Sequence, residues 1–165
     1  MDSLNNLLKT ACHIKSYHLN QDKKMFEKQP EFYKVGLYCY DIFKNVRKQD
    51  FFAKSAAYEV QKQKGLDFIK EKDWDEAEYC FCKCLSIFKY IKTRVKNWKT
   101  DGIKDEDLEF FEDKGNNEEE KNSIDKFIIS SLLNISLCNL EMRKYEECRE
   151  ACNEVLQRDP NIIKA

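Results

Sequence analysis

Glycine and proline are scarce, four and two in 165 residues. An all-β fold built on tight turns needs many more of both, so that class is disfavoured from the outset. An excess of positive charge is also missing: 29 basic side chains face 30 acidic ones, for a net charge of −1. Nucleic-acid binders draw much of their affinity from neutralising phosphates, and this balance points away from them. No apolar run approaches the roughly 20 residues needed to cross a bilayer, and the opening "MDSLNNLLKTACHIK" has neither the basic leader nor the apolar stretch of a signal peptide. The expectation is a cytosolic or nuclear chain, cytoplasmic in the first instance, with no membrane and no nucleic acid among its partners. What is abundant is charge, at 36% of residues, beside 42% hydrophobic residues. That mixture favours long helices with a buried stripe and a solvated face.

Helical periodicity divides the chain. In residues 1–54, Leu4, Leu7, Leu8, Ala11 and Cys12 form one helical stripe, and Phe32, Val35, Cys39, Ile42, Phe43 and Val46 form a second. Pro30 stands where the second helix begins, a position that suits its missing N–H. Residues 55–91 read as a helical hairpin, with Ala57, Val60, Phe68 and Ile69 directed inward from its first helix. Its second helix opens with Asp73 and, three residues later, Glu76, a capping-box-like start. Residues 92–122 change texture: basic "KTRVKNWK", which continues the preceding helix in this reading, gives way to an acidic stretch broken by Gly102 and Gly115, expected as loop. Residues 123–158 form a second hairpin, whose last helix places Tyr145, Cys148, Cys152 and Val155 on one stripe.

The two hairpins superpose at an offset of 71 residues: Trp74 on Tyr145, Ala77 on Cys148, Phe81 on Cys152 and Cys84 on Val155. A two-helix unit takes about 34 residues, and the surplus is the charged insertion. On these residues the chain resembles the tetratricopeptide-repeat family, whose pattern is W-x2-L-G-x2-Y, then A-x3-F, then P. Gly65 and Phe68 match the Gly and Tyr, Ala77 and Phe81 the A-x3-F, and Pro160 the Pro; Gln61, Lys64, Lys89 and Asn139 depart from the pattern. The match covers about residues 55–165, with repeat one at about 58–91, the insertion at about 92–122, repeat two at about 123–162 and the start of a third helix pair at 163–165. The texture is closest to the repeats of immunophilin-type co-chaperones. The fold implied is all-α: antiparallel helical hairpins stacked as a short right-handed superhelix, with two extra N-terminal helices.

The resemblance also implies a ligand. One subclass of that family holds the C-terminal carboxylates of cytosolic heat-shock chaperones, whose tails end Glu-Glu-Val-Asp, in the concave groove lined by the first helix of each repeat. A peptide terminus with two carboxylates close together needs several rigidly held donors. Of the five positions of that clamp, Lys62, Asn134 and Lys164 match; the expected Asn is Leu66, which cannot donate; the fifth, an Arg, would fall beyond Ala165. Leu66, Ile69 and Leu137 line the implied peptide groove. Two readings of Asn134 stand at this point, a peptide ligand or a residue bonding locally, because an amide inside "ISSLLNISL" needs partners. A second reading of the whole is a structural scaffold whose groove takes another protein's helix or the chain's own N-terminal segment, without clamp activity.

Catalysis is not expected. His13 and His18 do not share a helix face, and neither a nucleophile–base pair nor a phosphate loop is visible. In "YCFCKC", Cys80 and Cys84 share a face but Cys82 points away, and Cys84, Cys148 and Cys152 occupy repeat core positions. Buried free thiols are therefore expected rather than zinc ligands, with no metal and no cofactor. The final "DPNIIKA" reads as an Asp-Pro turn followed by the first turn of another helix, as in a fragment of a longer array.

Overall fold

The structure, a computed structural model, describes residues 2–162. Lys164 lies outside the described residues. The fold is all-α except for one two-stranded sheet. The elements are α1 (Asp2–Asp22), α2 (Lys24–Glu27), α3 (Glu31–Tyr38), α4 (Tyr40–Phe43), α5 (Phe51–Glu71), α6 (Trp74–Phe88), β1 (Lys89–Thr93), α7 (Trp98–Asp101), β2 (Leu108–Glu112), α8 (Glu118–Glu141) and α9 (Tyr145–Arg158), with single turns of 3-10 helix at Val46–Lys48 and Asp105–Asp107. Among the described residues no helix is long and apolar enough to cross a membrane.

The chain divides into two compact units. One comprises Met1–Gln29 with Thr93–Glu109; the other comprises Pro30–Lys92 with Phe110–Ala165. In the first, the Asp105 carboxylate accepts from the backbone N–H groups of Met25 and Phe26 at 2.6 and 2.9 Å, which satisfies free donors at the start of α2. Leu4, Leu7, Leu8 and Ile14 of α1 are exposed, so the stripe seen in the sequence does not face a core within this unit.

The second unit is organised around α6. Every residue from Cys80 to Phe88 except Lys83 is buried. Hairpin partners α5 and α6 meet at Gly65, where a Cβ would stand 2.7 Å from the Phe81 ring. Helix α8 packs on another side of α6: the rings of Phe88 and Phe127 lie 5.5 Å apart, and Tyr58 of α5 closes the cluster at 4.3 Å from Phe127. At the other end of α6, Asn139 Nδ2 donates to Glu78 at 3.0 Å and Lys144 pairs with Glu78 and Asp75 at 3.3 Å. The start of α8 therefore meets the end of α6, and its end meets the start. Both α5 and α8 run antiparallel to α6 and hence parallel to each other. A third side of α6 is covered by α3, which buries Phe32, Tyr33 and Leu37 and brings Gly36 against Ser86 and Tyr90.

Caps follow the sequence. The Asp73 carboxylate accepts from Glu76 N–H at 3.3 Å, as its spacing predicts. Asp50 and Asn117 do the same for α5 and α8, each at 2.9 Å. Asn117 also explains why α8 starts earlier than expected. With that cap in place, Glu118, Glu119 and Glu120 fill the first turn, where the helix dipole favours negative charge. The turns between paired helices are copies. Lys72 and Arg143, 71 residues apart, both adopt left-handed φ, of 60° and 61°. Around them Lys72 N–H bonds Ile69 O and Asp73 N–H bonds Phe68 O, while Arg143 N–H bonds Leu140 O and Lys144 N–H bonds Asn139 O. This is the Schellman pattern, in identical register in both repeats.

Three expectations are corrected. Val60 is 55% exposed, and the inward residue of that turn of α5 is Tyr58. In α9 the buried residues are Ala151 and Val155, whereas Tyr145 is exposed and Cys148 and Cys152 are half-buried. Residues after Phe88 do not prolong the helix. "KYIKT" pairs with "LEFFE" as a β-ribbon, in keeping with its β-branched and aromatic residues; the flanking bonds Asp113 N–H to Phe88 O and Arg94 N–H to Asp107 O set an antiparallel register.

The returning strand is tied down by charge. Arg158 donates to Glu112 at 2.7 Å and to Asp125 at 3.0 Å, and Lys89 pairs with Glu154 at 2.6 Å and Glu112 at 3.4 Å. Lys54 meets Asp113 at 2.5 Å. From outside the helix, Arg47 reaches the end of α6: its guanidinium donates twice to Ser86 O, at 2.9 and 2.6 Å, and lies 3.7 Å from the centre of the Tyr90 ring. Cation and helix C-terminus suit each other, although burial lowers the Arg47 pKa to about 10.

Two outcomes are expected. Gly65→Ala should destabilise by about 1–2 kcal/mol, because overpacking against Phe81 outweighs the gain in helix propensity; chemical denaturation should show the loss reduced when Phe81→Leu is combined with it. Burial raises the Glu112 pKa, but hydrogen bonds from Lys114 and Arg158 and the charges of Arg158 and Lys89 outweigh that and hold it at about 2. A depressed carboxylate stabilises the fold above its unfolded pKa and ceases to do so as pH falls through the folded value. The stability advantage of the native chain over Glu112→Gln should therefore be full near neutrality and shrink between about pH 4.5 and pH 2, as read from urea midpoints across that range.

Candidate functional site

Lys62, Leu66 and Ile69 recur at i, i+4 and i+7, so they share one face of α5. All three are half-buried. Lys62 pairs with Glu59 at 3.7 Å, and its ammonium lies 5.7 Å from the centre of the Tyr58 ring. On α8, Asn134 is half-buried and its Nδ2 donates to Ser130 O, one turn back, at 2.8 Å. Leu137 stands one turn further on and is 40% exposed.

The Tyr58–Phe127 contact sets the two helices level with each other. From there Leu66 lies eight residues along α5 and Leu137 ten along α8, about 12 and 15 Å at the helical rise. The repeat offset gives a match within two residues of this: Leu66 corresponds to Leu137, and Ile69 to Leu140. Lys62, Leu66, Ile69, Asn134 and Leu137 thus occupy corresponding stretches of two parallel neighbours.

Three further residues belong to these faces. Leu140 is 51% exposed and Leu133 half-buried, both in the Leu137 row, and Glu59 is the carboxylate already beside Lys62. The sequence carried a signal for the leucines. From Phe127 to Leu140 there is no charged residue, over about four turns of helix, although part of that surface meets solvent.

The thiols are placed for packing. Cys80, Cys82 and Cys84 are all buried: Cys84 lies against α5, its Sγ 3.7 Å from Tyr58 O, while Cys82, on the side a lone hairpin would leave open, is near Cys138 of α8 and Cys39 at the end of α3. Burial raises the Cys82 thiol well above its ordinary range and pushes Cys138 up to about 12. Burial also raises the Cys148 thiol, with its neighbour Cys152, one turn along α9, as the second cause. Among the described residues no cluster of His, Cys, Asp and Glu could hold a metal ion.

No protein-family model matches the chain. Over 110 residues it is 29% identical to FK506-binding protein 59 of Drosophila melanogaster, a stretch that makes up 67% of this chain and 19% of that protein. The chain spans less than a fifth of the length of the curated relative it matches.

Thiolate, not thiol, is the reactive form. A maleimide at neutral pH should therefore label exposed Cys12 first and leave Cys80, Cys82, Cys84 and Cys138 unmodified until denaturant is added, as read by peptide mass mapping.

Proposed function

We propose that the chain is a tetratricopeptide-type adaptor module, not an enzyme, of the kind found in co-chaperones, and that its α5–α8 face holds the acidic C-terminal tail of a cytosolic heat-shock chaperone. The observation that carries the reading is the pairing of a cation and an amide, Lys62 and Asn134, on parallel neighbouring helices with an aliphatic row beside them. The likeness to part of an FK506-binding protein supports the same class of role.

Both donors are engaged in the free chain, and both engagements are exchangeable. The Lys62–Glu59 pair is a surface i,i+3 contact, of a kind that contributes about 0–0.5 kcal/mol. The Asn134 bond goes to a helix carbonyl that already has its own backbone partner to hand. A peptide carboxylate arriving between the helices offers each donor a charged acceptor, and charge-assisted bonds are the stronger ones. Lys164 is the third donor of this reading. Leu66, in place of an amide, leaves that side of the terminus held by fewer hydrogen bonds.

The test is a calorimetric titration of a peptide ending Glu-Glu-Val-Asp, as free acid and as C-terminal amide. The free acid should bind and the amide should not. Lys62→Ala and Asn134→Ala should each weaken binding by about 1–3 kcal/mol. Equal binding of acid and amide would overturn the carboxylate reading.

A further inference from the structure

We infer that the α5–α8 face selects its peptide by aliphatic contact, and that the favoured tail carries leucine-like side chains where the acidic chaperone tail carries glutamates. The inference rests on the carboxylate reading above and refines the class of ligand.

Three observations lead to it. The α8 wall is neutral: the run from Phe127 to Leu140 lacks any charged side chain, yet Leu137 and Leu140 are 40% and 51% exposed. A helix face that meets water ordinarily carries charge. The facing residues of α5 continue the wall, since Leu66 and Ile69 are the repeat equivalents of Leu137 and Leu140. Charge on the α5 side is balanced by its own helix, with Lys62 beside Glu59 at 3.7 Å and Lys70 beside Asp67 at 2.7 Å.

These features set what can bind. Lys62 suits one terminal carboxylate. A glutamate laid further along would lose water against leucine and isoleucine, and Lys70, the cation next to Ile69, is already paired with Asp67 at 2.7 Å, so the loss is costly. A leucine in the same place would remove apolar surface from water on both sides. The occupant that matches this pattern is a free C-terminus with aliphatic residues just before it.

The experiment uses the full chain and two free-acid peptides identical except at their ends, Glu-Glu-Val-Asp and Leu-Leu-Val-Asp, with the amide of each. The leucine peptide should bind about tenfold more tightly, and its affinity should change by less than about threefold between roughly 50 and 500 mM salt. Leu66→Asn and Leu137→Asn should each reduce the preference, with helical circular dichroism unchanged to show that the variants fold. Equal or tighter binding of the glutamate acid would overturn the aliphatic selection while leaving the carboxylate reading in place. Tight binding of the leucine amide would overturn the carboxylate reading and leave the aliphatic preference standing. Failure of both acids to bind would overturn both.

Discussion

The second half of α6, with almost no solvated surface, governs the larger unit. From Cys80 to Phe88, α6 offers water only Lys83, and a segment of that kind is stable only when other elements cover it on every side. Helices α5, α8 and α3 do so. Because α6 turns back on α5 and α8 turns back on α6, the first helices of the two repeats end up parallel and adjacent. The surface shared by α5 and α8, the proposed binding face, is thus a consequence of burying α6. The Tyr58–Phe88–Phe127 cluster fixes their level, and ring packing of this sort adds to the area it buries.

Ion pairs do a different task from the one first expected of charge in such a chain. Lys89, Glu112, Glu154 and Arg158 join β1, β2 and α9 where the charged insertion returns to the helices. A long excursion leaves a fold with loose ends unless its return is anchored, and partly buried, multiply bonded pairs are the ones that can anchor it. The proposed binding face is the contrary case, almost neutral along α8. Attraction at a distance would be weak there, and recognition would depend on contact.

Much of the architecture was legible in the sequence because the repeat imposes it. Gly65, Ala77 and Phe81 identified the seam of the first hairpin, Asp73 its cap, and the 71-residue offset the second hairpin. What was not legible has specific physical causes. Val60 lies at a position that helical spacing makes ambiguous, and Tyr58 took the inward place because its ring reaches Phe88 and Phe127. The strand at Lys89–Thr93 depended on a partner about 20 residues away, which local periodicity does not reveal. Helix α3 read as an appendage, and only the packing on Ser86 and Tyr90 shows it as part of the core. For the site, Lys62 and Asn134 came from the family resemblance, whereas Leu133 and Leu140 were accessible from the offset and the uncharged run but were not picked out.

The turn residues Lys72 and Arg143 carry one more implication. Neither is glycine, and each accepts a left-handed backbone that side chains disfavour, with the same two hydrogen bonds closing the turn. Few of the side chains superposed between the repeats are identical, yet the backbone joint is reproduced to within a degree in φ. The two hairpins are thus matched more closely in the main-chain geometry of their turns than in residue identity: what they present to their surroundings differs, while the way they fold back is the same.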